Sequence, residues 1–246
     1  MKLVADRGGK GSRLLVLLHG LGATKEVWRK FIAEDRWNGR WIAPDLRGHG
    51  ASPHAEDYSL DAHAADVAEL VDHPGETIIV GHSMGGAIAL ALASGAFGFR
   101  PSRVFGLGIK VAWNDDERAG MRKLAETPAR VLASRDEAVS RYLKVSGLAR
   151  LVAPDSPEAL AGVVRASDGW RLAGDPRAAT VGPPPMQALL DAAETPIHLA
   201  RGENDTLVTH AQLTQYDPAA RDIPGGHNAM VEHPRGVRDW IESFWA

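Results

Sequence analysis

The stretch VGHSMGGA, residues 80 to 87, sets one hydroxyl, that of Ser83, between glycines at 81 and 85. The apolar run ETIIV leads into it and IALALAS leads away. A strand that becomes a helix within a few residues forces an unfavourable backbone on the residue at the corner, and glycines two before and two after relieve the crowding. The corner side chain then projects at the carboxyl end of a sheet, where open α/β folds bind ligands. A serine hydroxyl displayed in this way becomes a nucleophile once a base takes its proton and a third group orients that base. Ser83 is the candidate nucleophile.

The base has to be chosen from ten histidines. In DIPGGHNAMVEHP, His227 follows a glycine pair on a loop after the short run RDI, whereas His233 stands beside Pro234 where the last helix begins. His227 is the favoured base and His233 its rival. The orienting acid is sought behind TPIHLA: in RGENDTLV, Asp205 lies three residues after Gly202 where a strand gives way to a loop, with Glu203 as the local alternative. A serine attacking a carbonyl also needs donors for the oxygen that becomes negative. The backbone N–H of Met84, at the start of a helix, is one candidate, and that of Leu21 in LLHGLG is the other. His19 in that motif reads as a structural residue bonded to loop backbone.

These groups need a scaffold that gathers strand ends. Short apolar runs at 13–18, 40–46, 76–80, 103–111 and 195–202 suit strands buried on both faces, with Val4 on a short edge strand. Between them lie helical patterns. Ser59 is a good N-cap for a helix over 60–72, and Val237, Trp240, Ile241 and Phe244 form one stripe of the last helix. The alternation predicts an α/β fold, a mostly parallel central sheet with helices on both faces. Residues 112–194 break it, reading as several helical pieces punctuated by prolines. They are taken as a helical cap inserted into a core formed by 1–111 and 195–246. Trp113, just beyond the 103–111 strand, and Trp170, inside the insertion, either line an apolar pocket or anchor the cap.

Composition narrows the function further. With 28 Lys and Arg against 31 Asp and Glu, and no long run of either sign, nothing favours nucleic acid or an anionic membrane as partner. The absence of cysteine excludes disulfides, a thiolate nucleophile and thiolate metal ligands. No metal cluster, phosphate-cradling loop or dinucleotide fingerprint is present in the sequence, so no cofactor and no metal is expected. The run LLVLL is too short to span a bilayer, and the residues before it lack the apolar stretch of a signal peptide. The expectation is a soluble, cytoplasmic protein acting on a small molecule, its oligomeric state unspecified.

Five pieces taken together resemble the α/β-hydrolase fold family: HGLG at 19–22, PDLRGHGAS at 44–52, GHSMGG at 81–86, RGENDTLV at 201–208 and GGHNAMVEHP at 225–234. The chain order Ser83, Asp205, His227 is also the order of that family. The resemblance implies a Ser83–His227–Asp205 triad, an oxyanion hole from the Leu21 and Met84 amides, and a cap between the sixth and seventh strands. It casts Arg47 and His49 as braces of the site. With only about a dozen residues before the first central strand, the family's edge hairpin is shortened and seven strands are expected instead of eight. Branches that use an aspartate at the elbow are excluded by Ser83. What the resemblance implies first is hydrolysis of a small or medium carboxylic ester or lactone through an acyl-enzyme. The alternatives are a carbon–carbon bond hydrolase of a ring-cleavage product and a small-ligand receptor without turnover.

Overall fold

The computed structural model describes residues 1–34, 37–71 and 75–244 of the chain. Among the described residues seven strands form the central sheet: β1 (Ala5–Gly9), β2 (Leu14–Leu18), β3 (Arg40–Pro44), β4 (Thr77–His82), β5 (Arg103–Leu107), and, after a separate hairpin of β6 (Val163–Ala166) and β7 (Gly169–Leu172), β8 (Ile197–Gly202) and β9 (Arg221–Ile223). Their spatial order is β1-β3-β2-β4-β5-β8-β9, with β1 antiparallel to β3 and every other pair parallel. All five residues of β2 are buried, as a strand covered on both faces must be.

Side chains of a strand alternate between faces, and that alternation divides the core. Leu14, Val16, Leu18 and Ile79 pack on one face beneath α2 (Leu60–Leu70) and α3 (Met84–Leu92). Leu15, Leu17, Ile78 and Val80 pack on the other with Phe31 of α1 (Arg29–Ala33). Helices lie on both faces. Every residue of α3 is buried, so this helix has no polar side to show. The segment between β5 and β8 carries α4 (Asp115–Glu126), α5 (Arg135–Val145), the short α6 (Pro157–Leu160), the hairpin and α7 (Met186–Asp191). After β8 come α8 (His210–Leu213), α9 (Ala229–Glu232) and α10 (Pro234–Glu242), whose Val237, Trp240 and Ile241 join the second face.

Several expectations shift in detail. The segment 112–194 is not made of helices alone, because Val163–Ala166 and Gly169–Leu172 pair as an antiparallel hairpin. Ser167 and Asp168 make the two-residue turn between the paired Ala166 and Gly169, and a Cβ on Gly169, at φ 152°, would meet the Leu132 carbonyl oxygen at 2.6 Å. The strand expected over 103–111 stops at Leu107, since Gly108 at φ 63° turns the chain aside. Val4 lies just outside β1, though its N–H is held by Ser52 Oγ at 2.9 Å. Ser59 caps α2 by accepting the Ala62 N–H at 3.2 Å, and the helix runs to Leu70; position 72, where the sequence placed its end, lies outside the described residues. Among the described residues no helix is long and apolar enough to cross a membrane.

Candidate active site

Ser83 stands between the end of β4 and the first residue of α3, with φ 52° and ψ −117°. A non-glycine residue holds such a backbone only where its surroundings impose it, and here they do. A side chain at Gly81 would begin 2.2 Å from the Gly85 carbonyl oxygen, and one at Gly85 would begin 2.5 Å from that of Leu18. Only two glycines let strand, corner and helix approach this closely. The Ser83 N–H donates to the Leu107 carbonyl at 2.8 Å, which pins the corner to the end of β5.

The residue after Leu107 links this corner to the acid and the histidine. A Cβ on Gly108 would lie 3.3 Å from Asp205 Oδ2 and 3.4 Å from His227 Nδ1. Those two atoms are 2.8 Å apart, with the Asp205 side chain fully buried and that of His227 at 22% exposure. His227 Nδ1–H therefore donates to a carboxylate, and the lone pair of the imidazole is left on Nε2. Asp205 is itself fixed: its Oδ1 accepts the Leu207 N–H at 2.8 Å, and Arg201 donates to the Glu203 and Asp205 carbonyls at 2.7 and 3.3 Å. Glu203 is exposed, so burial separates the two acids. His233 instead caps α10, its Nδ1 accepting the Gly236 N–H at 3.0 Å.

His82 completes the connection, and sequence reasoning gave it no role. Its Nε2–H donates to the His227 carbonyl at 2.9 Å, and the two rings lie 4.6 Å apart. The residue preceding the serine thus anchors the loop of the histidine. Burial holds His82 well below the ordinary histidine pKa, so it remains a neutral donor. On the other flank, Asn228 Nδ2 donates to the Ser146 and Gly147 carbonyls at 3.3 and 3.2 Å, tying this loop to the end of α5. The only hint of either residue in the sequence is its place beside Ser83 or His227.

The HGLG loop is held by two more neutral histidines. His19 Nε2 accepts the Leu46 N–H at 2.9 Å while its Nδ1–H donates to the Gly20 carbonyl at 2.8 Å. His49 Nε2 accepts the Gly22 N–H at 3.1 Å and its Nδ1–H donates to the Arg47 carbonyl at 2.9 Å. Both bonds require an unprotonated acceptor nitrogen. Burial, the leading cause in each case, pushes the pKa of His19 down to about 4 and that of His49 to about 3. Arg47 braces the same region through Asp66 at 2.7 Å and the Asp57 and Ala62 carbonyls.

A cavity of about 100 Å³ opens over Ser83, and Leu21, Met84 and Trp113 are in its wall. Leu60, Met121 and Val181 add apolar surface from three distant segments. Lys110 also reaches the wall but is paired with Glu117 and lies 4.9 Å over the Trp113 ring. Trp170 is not in this wall; it sits on β7, paired with Leu132 and flanked by Arg135 and Arg165. Of the two tryptophans singled out in the sequence, Trp113 alone reaches the serine's cavity.

The model of the alpha/beta hydrolase family matches residues 15–240. The chain is 31% identical over 272 aligned positions to the magnesium-chelatase 30 kDa subunit of Rhodobacter capsulatus, covering 97% of this chain and 90% of that protein. It is 35% identical to lipase LipV of Mycobacterium tuberculosis over 102 residues, which are 41% of this chain and only 37% of that protein's length. Among solved structures, E-2-(acetamidomethylene)succinate hydrolase superposes with a TM-score of 0.78 at 20% identity, covering 98% of each chain. That likeness is one of fold.

Proposed function

The chain belongs to the alpha/beta hydrolase family, and we propose that within it the chain is a serine hydrolase of small or medium carboxylic esters or lactones. The observation that carries this reading is the 2.8 Å contact between His227 Nδ1 and the buried Asp205 Oδ2; it is supported by the strained backbone of Ser83, whose N–H bonds Leu107, the residue before the Gly108 that lies against both side chains. An oriented imidazole with a free Nε2 beside a displayed hydroxyl is what acyl transfer requires.

In this mechanism Ser83 Oγ attacks the substrate carbonyl carbon while its proton passes to His227 Nε2. Asp205 stabilises the imidazolium, and the negative oxygen is received by the Leu21 and Met84 N–H groups, on residues that line the cavity over Ser83. Collapse of the tetrahedral intermediate breaks the bond to the leaving oxygen, which takes the proton from His227. Water then gives a proton to His227 and attacks the acyl carbon; the bond from that carbon to Ser83 Oγ breaks, His227 returns the proton to Oγ, and the carboxylic acid leaves. Residues 112–194 serve as the cap, supplying Trp113, Met121 and Val181 to the pocket roof.

The small cavity sets the acyl size. About 100 Å³ is well below the roughly 300–1,000 Å³ of pockets that take drug-sized ligands, which suits a short chain. Each methylene that fits contributes up to about 0.8 kcal/mol of burial. Across nitrophenyl esters from acetyl to palmitoyl, kcat/KM is expected to climb, peak at a short acyl chain and then fall, without activation above the micelle threshold. A maximum at palmitoyl, or activation at an oil–water interface, contradicts this reading.

A further inference from the structure

A second cavity, about 250 Å³, adjoins the first, and the two share Leu21 in their walls. Leu21 carries one of the proposed oxyanion donors. A substrate whose carbonyl sits there can therefore extend one half into each lobe. Val145 in the wall of the second lobe is followed by Ser146 and Gly147, whose carbonyls are bonded by Asn228, the neighbour of His227 in the chain.

The two lobes differ in chemistry. The second combines exposed apolar side chains with positive charge. Leu124 and Val145, exposed at 41% and 50%, both face it. Arg141 stands one helical turn before Val145 on α5, so the i, i+4 spacing puts both on one face of the helix. Arg130 reaches the same wall from the preceding loop. The charges nearby do not cancel Arg141. Asp175 is already taken by Arg177 at 2.7 Å and by the Tyr58 hydroxyl at 2.7 Å. Glu137 faces Arg130 at 3.8 Å. His49 is neutral, since its Nε2 accepts the Gly22 N–H. Among the described residues Arg141 has neither an ion-pair partner nor a hydrogen-bonded acceptor. One positive charge is left over, in a chain whose formal net charge is −3.

We propose that the second lobe is a subsite for a leaving group with an apolar body and a single carboxylate, with Arg141 as the counter-ion and Leu124 and Val145 as the apolar floor. This assignment rests on the serine hydrolase reading above and names its substrate class: esters whose alcohol half is anionic. One uncompensated arginine matches a monoanion, and its planar fork suits a carboxylate.

The test compares 4-nitrophenyl butyrate with 3-carboxy-4-nitrophenyl butyrate, and adds 4-nitrophenyl glutarate to place the same charge on the acyl half. The quantity read is the ratio of kcat/KM, charged over neutral. The native chain should favour the carboxylated leaving group; Arg141→Gln should lower that ratio about tenfold and Arg141→Glu should invert it. High salt should reduce the native ratio. An equal fall on both butyrates, an unchanged ratio, or a preference confined to the glutarate overturns the subsite. Calorimetric binding of 3-carboxy-4-nitrophenol to the Ser83→Ala chain reads the lobe without turnover. If no ester is hydrolysed by the native chain but this binding weakens about tenfold in Arg141→Gln, the hydrolase reading fails and the anion subsite stands; binding that ignores Arg141 ends the subsite whatever the activity.

Discussion

Gly85→Ala adds one carbon where the backbone leaves no room. Its Cβ would lie 2.5 Å from the Leu18 carbonyl oxygen and 2.6 Å from that of His19, against an ordinary contact of about 3.5 Å or more. Neither oxygen can yield. Leu18 ends β2, which is paired along its whole length with β4 and over Leu14–Val16 with β3, and His19 follows it directly, its ring bonded to the Leu46 N–H and the Gly20 carbonyl. The first turn of α3 must lift instead, carrying Ser83 and the Met84 N–H with it. Overpacking of this kind costs about 3 kcal/mol, the upper end of its usual range, which for a chain of this size lowers Tm by about 6–12 °C. A displacement of about 1 Å at reacting atoms costs on the order of 10²-fold in rate. Gly120→Ala is the matched control, since nothing lies within 4 Å of its Cβ site on the exposed face of α4. It should gain about 1 kcal/mol from helix propensity and raise Tm by about 2–4 °C, with activity retained. Calorimetry and nitrophenyl butyrate turnover on both variants decide the matter. Equal stability and activity for Gly85→Ala and the native chain would refute the packing argument.

Ser83→Gly should be about 1 kcal/mol more stable than Ser83→Ala, because glycine accepts φ 52°, ψ −117° and alanine keeps the strain; denaturant unfolding of the pair reads this, and a less stable glycine variant speaks against strain. Asp205→Asn should lower kcat by about 10³- to 10⁴-fold, whereas His233→Ala should lose about 1 kcal/mol of capping with little change in kcat; the reverse ranking in steady-state kinetics would mean the base and acid lie elsewhere. Stability should be level above about pH 6.5 and fall as the pH drops toward about 4, because unfolded His19 binds a proton through that window while folded His19, at about 4, refuses it. That histidine alone accounts for about 3 kcal/mol, and a urea midpoint that stays flat from pH 7 to 4.5 would contradict it.

The framework of the fold was legible because it rests on short-range signals. The apolar runs around 13–18, 76–80 and 195–202 coincide with β2, β4 and β8, and the two glycines around Ser83 mark a corner that the backbone angles bear out as a geometry. What escaped was what depends on long-range contact. The β6–β7 hairpin lacks a continuous apolar run, Arg165 and Arg171 interrupting it, so it read as helix. His82 stood in the quoted motif, yet its partner is 145 residues away. Trp113 and Trp170 looked alike as candidates, and only the path of the chain after β5 sets the first against Ser83 and the second on the hairpin. The lobe proposed to take an anion was invisible for the same reason: Leu21, Leu124 and Arg141 meet there from separate segments.

The most direct test of the central claim is covalent labelling of the nucleophile. A fluorophosphonate reacts with a serine hydroxyl only where a base and oxyanion donors are already arranged. With the native chain, intact-mass and peptide mapping should show one equivalent of label, on Ser83, with loss of ester turnover in step; Ser83→Ala should take up none. Label on another serine, or undiminished uptake by Ser83→Ala, would contradict the account.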